Sequence, residues 1–325
     1  MTRPLSGPLA AALLIVAAGT VGLTQQKPRR LFVAVSDARG NPVLDLFQHE
    51  FRVVEGGTVM PIDRVRLSRD PMRIALIVDS SEATAGGIID IRAGLQAFVN
   101  AIPEEHEIGL MTIGRQMRVR AQPDAERVHL RQMVAEFASD GGRTTLLDGL
   151  REVDERFMRR LEDGRWPVYV IVSTDGPEGS GSISSDRYVE LVESMLLRGA
   201  IAHARIIQVA RRGDLAQMTA MAQAAVPRGG APRAANSSIP DRTPDAGEVA
   251  LNLTANLRGS HEAMVGFTAL VPNLRALAQR IVADHRLMST RYEVEYRGNP
   301  SLAVGAAAQV SREGLQVAFS PRRPF

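Results

Sequence analysis

The chain contains no cysteine. That excludes a disulfide framework, a thiolate nucleophile, a cysteine zinc site and lipid attachment at an N-terminal cysteine. Lysine is reduced to a single residue, Lys27, so arginine carries almost all the positive charge. The arginines are scattered, as at Arg64 and Arg66, Arg118 and Arg120, Arg159 and Arg160, and Arg211 and Arg212, with acids between them. The net formal charge is only +3, and no basic stripe of the kind that tracks a phosphate backbone emerges, so no nucleic-acid partner is expected. Aromatic residues make up only 4% of the chain, which argues against a ring-lined surface for sugars or single strands. His49, His106, His129, His203, His261 and His285 show no His-x3-His pairing, and there is no phosphate-binding Gly-x4-Gly-Lys loop. Residues 179–182, Gly-Ser-Gly-Ser, lack the nucleophile-elbow pattern and read as a flexible loop near Asp175.

What the chain does have is a large apolar fraction, 45% of 325 residues, enough for one large core or two modest ones. Its start is distinctive. Arg3 precedes an apolar run over 8–23 and then polar Thr24, Gln25 and Gln26, with small residues around Ala17. A positive start, a short apolar stretch and small residues describe a secretory signal over 1–24, and the run is shorter than the ~20 residues of a spanning helix. An uncleaved anchor is the alternative. No later segment is apolar enough to span a membrane, so a periplasmic or secreted protein is expected.

Short apolar strands separated by turn residues over 28–68 suggest a small N-terminal antiparallel β unit. The pattern then changes. The continuous apolar run that follows Arg73 up to Val78 and the segment 168–173 read as buried strands, and 108–113 and 201–209 also read as strands. Helical spacing at 87–102, 128–137, 146–161, 188–197, 215–225 and 272–287 falls mostly between them. A further strand at 117–121 reads as an edge. Alternation of this kind predicts an α/β domain over 72–290, with a doubly wound, mostly parallel sheet. Proline and glycine crowd the region 226–259, which reads as a flexible loop. Residues 291–325 read as C-terminal β-strands, at 292–296, 306–310 and 314–319.

Three segments fall just after strand ends, where open parallel sheets bind ligands. They are Asp79-Ser-Ser-Glu-Ala83, Gly141-Gly-Arg-Thr-Thr-Leu-Leu-Asp148 and Thr174-Asp-Gly176. Among them the carboxylates of Asp79 and Asp175, a serine hydroxyl and a threonine hydroxyl converge at one sheet edge, hard oxygen donors suited to Mg²⁺. Taken singly, Asp79 and Asp175 are read as helix caps, and Asp148 is a helix-start residue.

In order and form these segments resemble the metal-ion-dependent adhesion site of von Willebrand factor A domains, Asp-x-Ser-x-Ser followed by a distant Thr and a distant Asp. The resemblance implies Asp79, Ser81, Thr144 and Asp175 as metal ligands, with Thr145 as fallback for the threonine. It also implies Mg²⁺ or Mn²⁺ as the ion, and capture of a protein partner through an exposed carboxylate rather than enzymatic turnover. The residues Val35, Asp37, Gly40, Pro42, Leu46, Phe51, Val53 and Gly57, with the tail from Arg291 to Val317, are similar to the flanks of this domain in a subfamily of exported bacterial proteins. One position departs. Ala83 stands where the motif has its second serine and offers no oxygen; Glu82, where glycine is usual, is an alternative carboxylate donor, although strand alternation turns it away from the motif side chains. The alternatives are a metal-independent scaffold with a decayed site and, further off, a metal-assisted hydrolase, for which no general base is evident.

Overall fold

The computed structural model describes residues 29–159, 164–181, 185–209, 245–298 and 305–321. The expected signal at 1–24, the helix at 215–225 and the proline-rich stretch up to 244 lie outside the described residues. Strands β1 (Arg29–Ser36), β2 (Phe51–Glu55), β3 (Thr58–Met60) and β4 (Ile62–Leu67) come first. The α/β layer follows as β5 (Met72–Asp79), α1 (Ile88–Ala101), β6 (Glu107–Ile113), β7 (Met117–Ala121), α2 (Arg127–Ala135) and α3 (Leu146–Val153). It continues through β8 (Trp166–Thr174), α4 (Ser185–Leu197), β9 (Ile201–Gln208), α5 (Ala246–Asn256), β10 (His261–Val265) and α6 (Leu270–Met288). Strands β11 (Tyr292–Tyr296), β12 (Ala306–Val310) and β13 (Gln316–Ser320) close the described chain.

The central sheet has the order β10-β9-β8-β5-β6-β7, parallel throughout except for the antiparallel edge pair β6–β7. Strand side chains alternate between faces, so one buried strand feeds two cores. Ile74, Leu76 and Val78 of β5 pack with Ile91 and Leu95 of α1 and Leu274 of α6. Ala75 and Ile77 of the same strand pack with Leu150 of α3, Leu191 of α4 and Leu253 of α5. The expected α/β architecture is present. From β5 the chain runs outward through α1 to β6 on one side, then crosses to β8 on the other. The carboxyl ends of β5 and β8 therefore lie side by side at the reversal, where the loops diverge and leave a crevice.

The antiparallel strands expected at the two chain ends are present, and most of them pair across the two ends. Within 28–68 only β2 and β3 are consecutive partners; β1 lies between β11 and β13, β4 pairs with β11, and β2 with β12. The four-stranded and three-stranded sheets share a core of Leu31, Val33, Phe51, Val53, Tyr292, Val294 and Ala308. Tyr292 ties the two chain ends together: its hydroxyl donates to the Val43 carbonyl at 3.1 Å and accepts the Leu46 N–H at 3.0 Å. The α/β layer is thus inserted into a β-sandwich built from both ends of the chain.

Two local expectations are corrected. The region 226–259 is not a loop throughout, because α5 occupies Ala246–Asn256. Asp245 accepts the Glu248 N–H at 2.7 Å while the Glu248 side chain reaches back to the Asp245 N–H, a capping box that starts the helix. Val249, Ala250, Leu253 and Leu257 then bury one face against the sheet. The helix at 146–161 is shorter than expected: α3 ends at Val153 and passes into a π-turn over Asp154–Met158. That turn directs Asp154 inward to accept the Tyr169 hydroxyl at 2.6 Å and to pair with Arg198.

Candidate metal centre

Asp79 is the last residue of β5 and is fully buried. Its Oδ1 accepts the Ser81 N–H at 2.7 Å. Its Oδ2 accepts the Thr174 N–H at 3.1 Å, the Thr174 hydroxyl at 2.7 Å and the Ser173 hydroxyl at 3.3 Å, all from the end of β8. The aspartate therefore bridges the two strands that flank the reversal. Ser81 is also buried, and its carbonyl is held by Thr84 and by the Ser139 hydroxyl at 2.8 Å.

Thr144 stands just before α3. Its backbone pairs with the loop after β8, where Gly179 donates to the Thr144 carbonyl at 2.7 Å. Its side chain is only 2% exposed, yet Oγ1 has no hydrogen-bond partner among the described residues. Thr145, the alternative threonine, is already committed: its hydroxyl donates to the Gly114 carbonyl at 3.1 Å. Asp175 is half-buried, and its Oδ1 accepts the Val209 N–H at 3.1 Å.

Ser81, Glu82, Ala83, Gly142, Arg143, Thr144, Gly176 and Pro177 line one open cleft of about 280 Å³. The structure thus brings two of the four expected ligands, Ser81 and Thr144, into the cleft itself. Asp79 is bonded directly to Ser81, and Asp175 adjoins Gly176, but neither carboxylate is part of the lining. Arg143 runs past Gly179, where an added Cβ would meet the arginine Cβ at 2.7 Å. Arg115 lies over Gly142, whose φ of +75° itself favours glycine. Both guanidinium-bearing side chains are exposed and form no ion pair among the described residues.

Sequence reasoning missed Glu178. Its buried carboxylate accepts the Leu146 N–H at 3.1 Å and the Ser180 N–H at 2.9 Å, and is bonded to the Ser180 hydroxyl. It caps α3 from a neighbouring loop, since Thr145 makes no side-chain cap there. Burial raises its carboxyl above the usual range, against the lowering effect of the Ser180 donors. Ser180 also accepts the Asp148 N–H at 3.0 Å, and Gly181 donates to Asp148 at 2.8 Å. Residues 179–181 are therefore pinned to the start of α3 rather than forming a free loop; Ser182 lies outside the described residues. No local motif announces this contact, because its partners are 32 residues apart or more.

The donor set suits a divalent cation. Two hydroxyls and two carboxylates are hard ligands, Asp175 Oδ2 takes no hydrogen bond among the described residues, and Thr144 Oγ1 is buried without a partner. Among the described residues no three of His, Cys, Asp or Glu gather as a metal cluster, so an ion here would depend on hydroxyl oxygens.

Residues 74–178 match the family model described as von Willebrand factor type A domain. No curated protein sequence matches the chain. Similar solved structures include a von Willebrand factor type A protein from Catenulispora acidiphila, 10% identical with a TM-score of 0.46, covering 79% of this chain and 50% of that one. Manganese-loaded TRAP of Plasmodium vivax is 13% identical with a TM-score of 0.40, over 78% of this chain and 80% of that one. The conserved hypothetical protein BatB of Bacteroides thetaiotaomicron is 10% identical with a TM-score of 0.45, over 65% of this chain and 98% of that one. The chain thus spans about half the length of the Catenulispora structure. Over residues 74–178, which run from β5 to the loop after β8 in the doubly wound sheet, the chain is similar to the von Willebrand factor type A domain family.

Proposed function

We propose that this protein is an exported, non-enzymatic interaction module that captures an acidic group of a protein partner at the cleft between β5 and β8. The observation that carries this reading is the partnerless Thr144 Oγ1, buried beside Ser81 in an open cleft. A buried hydroxyl with no acceptor or donor costs stability unless a ligand completes it. Asp79, Ser81, Thr144 and Asp175 would hold Mg²⁺ or Mn²⁺, and a bound ion would supply an open coordination position for a carboxylate. Arg143 on the cleft wall and Arg115 over Gly142 add unpaired positive charge that favours an acidic segment. Glu178, whose backbone bridges to Thr144, is engaged as a helix cap rather than held free as a general base. Export rests on the N-terminal sequence alone. Among the described residues no helix is long and apolar enough to cross a membrane.

One observation favours a metal-independent scaffold instead. Asp79 Oδ2 already accepts three hydrogen bonds, so it serves as a structural brace whether or not an ion binds. Thermal unfolding of the chain in EDTA, Mg²⁺ or Mn²⁺, beside Asp175→Ala, separates the two readings. A ligand that binds only the native state raises the melting temperature as its concentration rises. A metal-dependent rise that Asp175→Ala abolishes supports the metal reading. A flat response in the wild type overturns it in favour of the scaffold.

A further inference from the structure

Ala83 removes one oxygen from the motif, and the cleft shows what stands in its place. Ser81, Glu82 and Ala83 are three consecutive residues, and all three line the cleft. Extended backbone could not do this, because alternate side chains of a strand face opposite ways. Ser81 is the last extended residue, with φ −64° and ψ 172°, and a 3-10 turn begins at Glu82 and runs to Gly87. From that point successive side chains are spaced about a third of a turn apart, so residues 82 and 83 can share an edge. The alternation expected from sequence, which turns Glu82 away from Ser81, therefore stops one residue too early to apply.

Glu82 is exposed, and its carboxylate has no hydrogen bond or ion pair among the described residues. It forms no ion pair with Arg143, which lines the same cleft. Its backbone is fixed, with N–H donating to the Gly142 carbonyl at 3.0 Å, so the residue is anchored to the loop that leads to Thr144. An acid in the first turn is also ordinary complementation of a helix end. What points beyond that is the orphaned Thr144 hydroxyl, 2% exposed, on the wall of the same cleft. A carboxylate is a hard oxygen donor and a stronger ligand for Mg²⁺ or Mn²⁺ than the serine hydroxyl that Ala83 lacks.

We infer that Glu82 supplies the cation ligand that Ala83 cannot, so the site is re-ligated rather than decayed. This rests on the metal reading proposed above and adds a ligand that the motif does not contain. Two consequences follow. The cation would bind with one more negative charge than a serine-ligated site carries. Restoring serine at position 83 would make Glu82 dispensable.

The test is titration of the full chain with Mn²⁺ and with Mg²⁺ by calorimetry, for wild type, Glu82→Gln, Ala83→Ser and Glu82→Gln/Ala83→Ser. Circular dichroism checks that each variant is folded, and an exposed side chain with no partner makes misfolding of Glu82→Gln unexpected. Loss of Glu82 should weaken cation binding by at least about 10-fold, the scale on which even outer-sphere changes act at metal sites. The double variant should recover most of that loss. The deficit of Glu82→Gln should persist at about 0.5 M salt, because a purely long-range attraction would be screened there. Wild-type binding that Glu82→Gln leaves unchanged, or a deficit erased by salt, overturns the inference while the metal reading stands. No binding by the wild type, with or without Ala83→Ser, overturns both.

Discussion

Replacing Thr144 by valine should act in opposite directions on the metal-free and metal-loaded protein. Valine has the same branched shape as threonine but carries no hydroxyl. In this structure Oγ1 is buried and makes no hydrogen bond among the described residues, so its removal breaks no contact. An unsatisfied buried donor costs about 1–3 kcal/mol, and Thr144→Val should recover part of it. The metal-free variant should therefore be as stable as wild type, or more stable by about 1 kcal/mol, seen as a melting temperature higher by about 2–4 °C. In wild type, an ion at about 100 times its dissociation constant adds about 2.7 kcal/mol. The variant should lose most of that gain, so the order of melting temperatures reverses between EDTA and excess Mn²⁺. Differential scanning calorimetry on both proteins in both buffers reads the crossing directly. If Thr144→Val lowers metal-free stability by more than about 1 kcal/mol, the hydroxyl has a partner and the reasoning fails.

Three further outcomes depend on other parts of the fold. Burial, then the charge of His285, holds His106 down to about 4, and burial, then Arg205, holds His203 down to about 3, both from 6.5. The unfolded chain then binds more protons below pH 6.5, so stability is complete above that pH and is lost as pH falls towards 4 and 3. A loss of about 3 kcal/mol is expected for His106, read from urea unfolding, and a flat profile would contradict it. Asp154→Ala should cost about 3–5 kcal/mol, because Arg198 and the Tyr169 hydroxyl lose a buried acceptor; a cost under about 1 kcal/mol would show the pair to be dispensable. Gly259→Ala places a Cβ 1.5 Å from the Ala202 carbonyl oxygen and should cost about 3 kcal/mol or more, whereas Gly305→Ala, with nothing within 4 Å, should be silent.

Much of the α/β layer is legible in the sequence because its physics is local. The short apolar run 74–78, bounded by Arg73 and Asp79, fits a strand covered on both faces, and the strand end at Asp79 follows from where that run stops. What escapes is decided by distance in sequence. The capping box at Asp245 and Glu248 is a local signal, but the proline and glycine before it obscure the apolar positions that follow. Strand β10 buries only Met264, so an edge strand of this kind has no apolar period to find. The pairing of β1 with β11 and β13 joins residues more than 250 positions apart, and nothing near Arg29 or Tyr296 encodes it. The motif residues were readable individually, but the orphaned Thr144 hydroxyl, the cap from Glu178 and the turn at Glu82 exist only once β5 and β8 lie side by side.

The charges around the cleft place a condition on any acidic ligand. Asp79, Asp175 and Glu82 are set against Arg115 and Arg143, three carboxylates against two guanidinium groups. Without an ion an approaching carboxylate meets a negative excess, to which the buried Glu178 adds; a divalent cation shifts that balance by two positive charges. On the proposed reading, capture of an acidic partner is therefore conditional on the cation, while the arginines limit how tightly the cation itself is held. Arg143→Ala should separate these roles. Removing its charge lowers the repulsion felt by Mn²⁺, so cation affinity should rise, while a glutamate-rich peptide added to the Mn²⁺-loaded protein should bind more weakly. Both changes should shrink as salt rises, since Arg143 is exposed and its field is screened beyond about 8–10 Å. A variant in which cation and peptide binding fall together would mean that Arg143 shapes the loop before α3 rather than its charge.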